Sequence, residues 1–309
     1  MITVQEAHSI ISNNIQPLGF ETVSLKNAGN RVLAQDITAT FPMPQFDNSA
    51  MDGFAVRAVD TVGANKTSPV TLKMVDVSSA GTPSGVILKP GQCAQCMTGA
   101  VIPDGADAIV IVENTNGFSD SGIVQIFQET HIGEHIRRQG EEIEKSDVLI
   151  SRGTCITPGE IGTLATFGYE KVSVMIKPKV AIFVTGSELV EPGNKIKIGQ
   201  IYNSNLYMFA ELAEKSGVEV VMREVIKDDK DSLRRLLSEA LQTCDVIISS
   251  GGVSMGRFDY VREVYNKLGV QEHFWKVAQK PGKPLFFGRA DSTLIFGLPG
   301  NPVSSFICY

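Results

Sequence analysis

The chain has 309 residues, 43% of them hydrophobic and 20% charged, enough to bury the cores of two or more domains. A formal net charge of −6 excludes a chain-wide basic field, so neither nucleic acid nor an anionic membrane is expected as a partner, and an anionic substrate must be held locally. No apolar run approaches the roughly 18 residues needed to span a bilayer, and Met1 to Ser9 has neither a basic start nor an apolar signal core, so a cytoplasmic protein is expected.

Thr3-Val4-Gln5-Glu6 has the pattern of a capping box, and Val4, Ala7, Ile10, Ile11 and Ile15 recur at helical spacing until Pro17 and Gly19, which predicts an opening amphipathic helix. A strand around Glu21 to Leu25 and a Gly-Asn-Arg turn follow, then Phe41-Pro42-Met43-Pro44, whose prolines favour an extended connection and a boundary near residue 45. Gln45 to Val56 is dense in short polar residues that bond backbone or ligand but build no core; by itself it also reads as a surface turn. From Val70 to Gln128 short apolar runs broken by Gly, Pro, Asp and Asn predict a small β-rich lobe, with Met97-Thr98-Gly99-Ala100 closing one run.

Five cysteines, odd and sparse, make no disulfide framework. Cys93-Ala94-Gln95-Cys96 has metal-knuckle spacing but lacks a second pair, and His131 and His135, separated by Gly133, read as solvated loop residues. Arg137-Arg138-Gln139-Gly140-Glu141-Glu142 reads as a solvated charged face, Pro158-Gly159-Glu160 opens a short helix, and Lys177-Pro178-Lys179 is a linker.

From Val180 strands and helices alternate: strand Val180 to Val184, helix Asn205 to Lys215 closed by Gly217, strand Val218 to Ile226, helix Ser232 to Leu241, strand Asp245 to Ser250, helical Tyr260 to Leu268. This alternation predicts a parallel sheet with its ligand above the strand carboxyl ends. Polar groups collect at those ends. Thr185-Gly186-Ser187-Glu188 follows the first strand, Asp228-Asp229 another, and Gly251-Gly252-Val253-Ser254 with Asp259 the third. Bare amides at Gly251 and Gly252 suit an anion, and a carboxylate beside an anion calls for a cation between them, so phosphate and a divalent metal are expected together. Lys276, Lys280 and Lys283 sit on a loop stiffened by Pro281 and Pro284, and Pro299-Gly300-Asn301-Pro302 ends a strand and caps a helix. Each feature also has a plainer reading: a tight turn for Gly251-Gly252, a helix cap for Asp259, first-turn acids for Asp228-Asp229, an exposed turn for the lysines. No Ser-His-Asp or Cys-His grouping is present, so metal-assisted transfer at a phosphate is the chemistry expected.

Phe46 to Gly53, Arg138-Gln139-Gly140-Glu141, Thr185 to Leu189, Ser249 to Ser254, Lys280 to Pro284 and Leu298 to Pro302 together resemble the MoeA family of molybdopterin molybdenumtransferases, which includes the gephyrin E domain. The resemblance implies an α/β multidomain chain: a linker domain from 1–44 and 141–177, a β-rich lobe from 45–140, and a MogA-like molybdopterin-binding domain from 178–309. It implies insertion of molybdate into adenylylated molybdopterin with Mg2+ and release of AMP. It further implies a homodimer whose cleft joins the sheet domain of one subunit to the Ser49, Asp52 and Thr98 region of the other, with the molybdopterin adenylyltransferase and molybdoenzyme acceptors as further partners. By matching motifs, Glu188 and Asp259 would be the acids for metal or molybdate, Lys276 and Lys280 substrate ligands, and Asp228 part of the family's acidic pair. Where the family commonly reads Gly-Glu-Asp-Ile, this chain has Gly140-Glu141-Glu142-Ile143, so the Glu142 carboxylate reaches one methylene further. Family members continue past the Asn301-Pro302 helix into a small β domain, which is expected to be absent here. Two rival readings are an adenylyltransferase, which resembles residues 178–309 alone, and a binding or scaffold protein that keeps the pocket without turnover.

Overall fold

The computed structural model describes residues 1–118, 121–227, 230–251 and 258–309, the side chains of 258–260 and 262 excepted. The chain forms two compact units: residues 1–34, 155–157 and 171–309 in one, residues 35–154 and 158–170 in the other.

In the first unit the opening helix runs Val4–Asn14 with the full capping box: Thr3 Oγ1 accepts the Glu6 amide while the Glu6 carboxylate accepts the Thr3 amide. The core is a six-stranded sheet in the order Glu219–Ile226, Lys179–Thr185, Val246–Ser250, Thr293–Leu298, Phe286–Ala290, Gln271–Trp275. The first four strands are parallel, and Phe286–Ala290 runs antiparallel to both of its neighbours, so that Gln271–Trp275 again runs with the first four. The expected parallel sheet holds across the three strands read from the sequence and becomes mixed at Phe286–Ala290. The reason is local: Asp291 and Ser292 alone join Phe286–Ala290 to Thr293–Leu298, a tight hairpin that can only return the chain antiparallel.

Alternation along the strands sends side chains to both faces. Ala181, Phe183, Ile247 and Ile295 meet Leu233 and Leu237 of helix Lys230–Thr243 and Val264 and Tyr265 of helix Phe258–Lys267. Val180, Ile182, Ile248 and Leu298 meet Ala7 of the first helix and Phe209, Ala210 and Ala213 of helix Asn205–Lys215. Burial on both faces explains why Lys179–Thr185 is buried throughout except at Lys179 and reads as a continuous apolar run.

The second unit is built on a five-stranded sheet in the order Ala108–Ile111, Gly53–Val56, Gln92–Cys96, Val70–Ser78, Ile123–Ile126. Cys93 packs with Phe54, Leu72 and Val110 on one side, Cys96 with Ala55 and Ile109 on the other. Three residues apart on one strand, the two thiols leave opposite faces and cannot share an ion. Burial pushes them up to about 12 and about 11. Gly53 is required by packing, since a Cβ there would fall 2.0 Å from the Val110 carbonyl oxygen. Among the described residues no helix is long and apolar enough to cross a membrane.

Candidate functional site

From strand Lys179–Thr185 the chain moves to Glu219–Ile226 on one side, and after Val246–Ser250 its remaining strands all lie on the other. The loops part above the carboxyl ends of these two strands, the place where open α/β sheets take their ligands. A cleft of about 560 Å³ opens there. It gathers seven of the residues anticipated from the sequence: Thr185, Glu188, Gly251, Pro299, Gly300, Asn301 and Pro302.

Backbone geometry holds the cleft's floor. Gly251 sits at φ +87°, and a Cβ there would lie 2.4 Å from the Thr185 carbonyl oxygen, so the strand end can approach its neighbour only without a side chain. The Gly251 amide donates to Leu298 O at 3.3 Å, and the Ser250 hydroxyl donates to Pro299 O at 2.9 Å. Two strand ends are thus tied together. Asn301 caps helix Pro302–Cys308 by accepting the Ser304 amide at 3.2 Å, with Pro302 in the first turn as the sequence pattern requires.

The cleft also contains Tyr202, Asn203, Ser204, Asn205, Ser250 and Ser304, which sequence reasoning did not single out as site residues. Their signal was Asn203-Ser204-Asn205, legible only as the start of a helix. Asn203 stands one residue before the N-cap Ser204, and its Oδ1 accepts the Leu206 amide of the first turn at 3.3 Å. Its Nδ2 donates to Glu191 Oε1 at 3.0 Å while the Tyr207 hydroxyl donates to Glu191 Oε2 at 2.7 Å. These donors, Tyr207 first, hold the Glu191 carboxyl below its usual range.

None of the three lysines lines the cleft, although Pro284 of the same loop does. Lys280 and Lys283 are exposed. Lys276 takes φ +87°, a conformation a long side chain rarely adopts. Its amide donates to Leu285 O at 3.0 Å and its carbonyl accepts the Ile2 amide at 3.3 Å, which fixes the backbone, and its Nζ lies 4.1 Å from the centre of the Trp275 ring.

In the second unit Asp52 and Thr98 come together. The Thr98 amide and hydroxyl both donate to Asp52 Oδ1 at 2.7 Å, and these bonds, the amide's first, hold the Asp52 carboxyl below its usual range. Ser49 sets this up from beneath: it is buried, its backbone pairs with Gly99 and Ala100, and its hydroxyl donates to Met51 O at 2.5 Å. Asp47 pins the loop read as a charged face, accepting the Gln139 amide at 2.8 Å and Arg138 Nη1 at 2.5 Å. Glu142 is exposed, with its amide donating to Met43 O at 3.0 Å.

Asp228, Asp229, Gly252 and Ser254 lie outside the described residues, and Asp259 is described only as a backbone position in the first turn of helix Phe258–Lys267. Among the described residues no group of three or more His, Cys, Asp or Glu side chains could hold a metal ion.

Residues 2–168 match the family described as "MoeA N-terminal region (domain I and II)", and residues 181–309 match "Probable molybdopterin binding domain". The chain is 40% identical over 305 residues to molybdopterin molybdenumtransferase of Staphylococcus aureus (strain Mu50 / ATCC 700699), covering 99% of this chain and 72% of that protein. It is 40% identical over 289 residues to molybdopterin molybdenumtransferase of Bacillus subtilis (strain 168), covering 93% of this chain and 67% of that protein. A crystal structure of a molybdopterin biosynthesis MoeA protein from Pyrococcus horikosii superimposes with a TM-score of 0.84 at 33% identity, covering 99% of this chain and 76% of that one. On both halves of the sequence and on the fold, this chain belongs to the MoeA family of molybdopterin molybdenumtransferases.

Proposed function

We propose that this chain inserts molybdate into adenylylated molybdopterin, cleaving the adenylate and releasing AMP, to form molybdenum cofactor. The observation that carries the reading is one cleft at the switch point of the sheet, where Thr185, Glu188, Gly251 and the Pro299 to Pro302 turn meet in a member of this family. The turn through Gly300 and Asn301 brings backbone amides to the cleft for an anion, the Gly251 amide being already bonded to Leu298 O, and Glu188, the one carboxylate among the described residues of the rim, suits a cation shared with the substrate.

Mg2+ fits that donor set, since it favours one or two carboxylates together with phosphate oxygens. Glu188 and Asp259 would hold it, and when bound it would neutralise charge on the phosphate being cleaved. Lys276, Lys280 and Lys283 bind the anionic substrate in this reading, with Asp228 or Asp229 and the Gly252 to Ser254 segment completing the rim. The chain acts as a homodimer in the cytoplasm, with Asp52 and Thr98, positioned by the buried Ser49, entering from the second subunit, and with Glu142 as a further acid. A molybdopterin adenylyltransferase supplies the substrate, and molybdoenzymes accept the product. The match over residues 2–168 favours this over an adenylyltransferase, whose resemblance is confined to the second half.

The test is reconstitution of a cofactor-free molybdoenzyme from adenylylated molybdopterin, molybdate and Mg2+. Wild-type chain should restore its activity and Glu188→Gln should not. Equal restoration by both would remove Glu188 from the reaction, and none by wild type would overturn the reading.

A further inference from the structure

Asn205 occupies a position from which one side chain reaches both glycine loops of the cleft. It is the first residue of helix Asn205–Lys215, is 5% exposed, and carries no charge. Its Nδ2 donates to Ser250 Oγ at 2.8 Å and to Gly300 O at 2.9 Å. Ser250 Oγ in turn donates to Pro299 O at 2.9 Å. Both amide hydrogens are therefore used, one on each of two segments that are 50 residues apart in the chain but adjacent in the sheet.

The orientation of this amide is set by its partners. Reversing it would place Oδ1 against the Gly300 carbonyl, oxygen against oxygen, so Nδ2 must face the two loops. The two loops are neighbours: a Cβ on Gly300 would make an ordinary 3.7 Å contact with Gly251 Cα, while Gly251 itself abuts Thr185, where a Cβ would fall 2.4 Å from the carbonyl oxygen. Among the described residues Asn205 Oδ1 is buried without a hydrogen-bond partner, so this side chain is held for its two donors and not for its acceptor.

We infer that Asn205 is a positioning residue for the proposed reaction: its amide locks the end of strand Val246–Ser250 to the Pro299-Gly300 turn and so sets the spacing of the backbone groups that receive the substrate. This rests on the functional reading above for the substrate, but not for the lock itself. Ser250 is the second member of the lock, the relay between Asn205 and Pro299.

Asn205→Ala removes the lock, and Asn205→Asp keeps its size while turning a donor into an acceptor. The introduced carboxyl, nearly buried and facing a carbonyl, would hold its proton more tightly than an exposed acid and, once protonated, would donate one of the two lost bonds. Amide hydrogen exchange in the intact chain reads the lock without substrate. Peptides spanning residues 249–251 and 299–301 should exchange about tenfold faster in Asn205→Ala, while residues 180–184 keep their protection. Binding of adenylylated molybdopterin should weaken about tenfold in Asn205→Asp at pH 8 and recover toward wild type near pH ~5, with KM rather than kcat carrying most of the loss. Unchanged exchange at both loops overturns the lock, and so does an Asn205→Asp to wild-type binding ratio that is flat with pH. If wild type neither binds nor turns over this substrate, the functional reading fails while the exchange contrast still decides the role of Asn205.

Discussion

The Asp52 carboxylate accepts two hydrogen bonds from a single residue, Thr98, through its amide and its hydroxyl, each at 2.7 Å across 46 positions of sequence. With the folded value lowered, the stabilisation is present above the unfolded carboxyl pKa of ~3.9 and is lost as pH falls through the lower folded value. A carbon-detected NMR titration should place Asp52 below that reference. Thr98→Val should raise it only part of the way, because the amide bond stays; no movement would assign the shift to the amide alone.

Asp52→Asn keeps an acceptor for Thr98 but removes the charge. It should fold as wild type and lose most molybdate-dependent turnover, and mixing it with Glu188→Gln should restore part of the activity if the two residues serve one cleft from different subunits. Activity that stays lost in the mixture would count against the shared cleft.

Gly251→Ala should be among the more damaging single substitutions in the sheet unit. It meets both a positive φ and a carbonyl 2.4 Å away, whereas Gly153→Ala meets the positive φ of +85° with nothing within 4 Å. The first should cost roughly 1–3 kcal/mol or more and the second about 1 kcal/mol. Urea unfolding of both variants gives the comparison, and equal costs would mean the Thr185 contact relaxes freely.

Glu263 bridges two helices by accepting from Lys230 at 2.7 Å and Lys267 at 2.8 Å, which draws its carboxyl down to about 2. Its contribution should be whole above pH ~4.3 and disappear as pH falls toward about 2. Stability measured across that window should lose part of its slope in Glu263→Gln, and the difference should shrink in ~1 M salt, where screening acts within about 3 Å. A slope identical in both proteins would contradict the bridge.

Much of the fold was legible because it rests on local rules. The capping box at Thr3 and Glu6, the helix Asn205–Lys215 and the Asn301-Pro302 helix start all follow from residues within one turn of each other. The mixed sheet was not, because the two-residue hairpin at Asp291-Ser292 lacks the glycine that usually announces such a turn. In the site, glycines and prolines announced the strand ends at Gly251 and Gly300, where backbone conformation itself is the requirement. Asn203 and Asn205 stayed hidden because their partners, Glu191, Ser250 and Gly300, are set by tertiary packing and not by spacing. The lysines show the converse: Lys276, Lys280 and Lys283 look alike in sequence, yet only Lys276 has its backbone pinned on both sides and its Nζ against an aromatic ring.

That difference gives a graded expectation for the lysines. Lys276→Ala should weaken substrate binding more than Lys283→Ala, and the gap should narrow as salt rises. Equal dissociation constants for the two variants would remove the distinction.

The measurement closest to the central claim is AMP release from adenylylated molybdopterin by this chain, with and without molybdate and Mg2+, beside Asp259→Ala. Release that requires both ions and fails in the variant is the result the account predicts. Release that ignores molybdate, or that persists undiminished in Asp259→Ala, would contradict it.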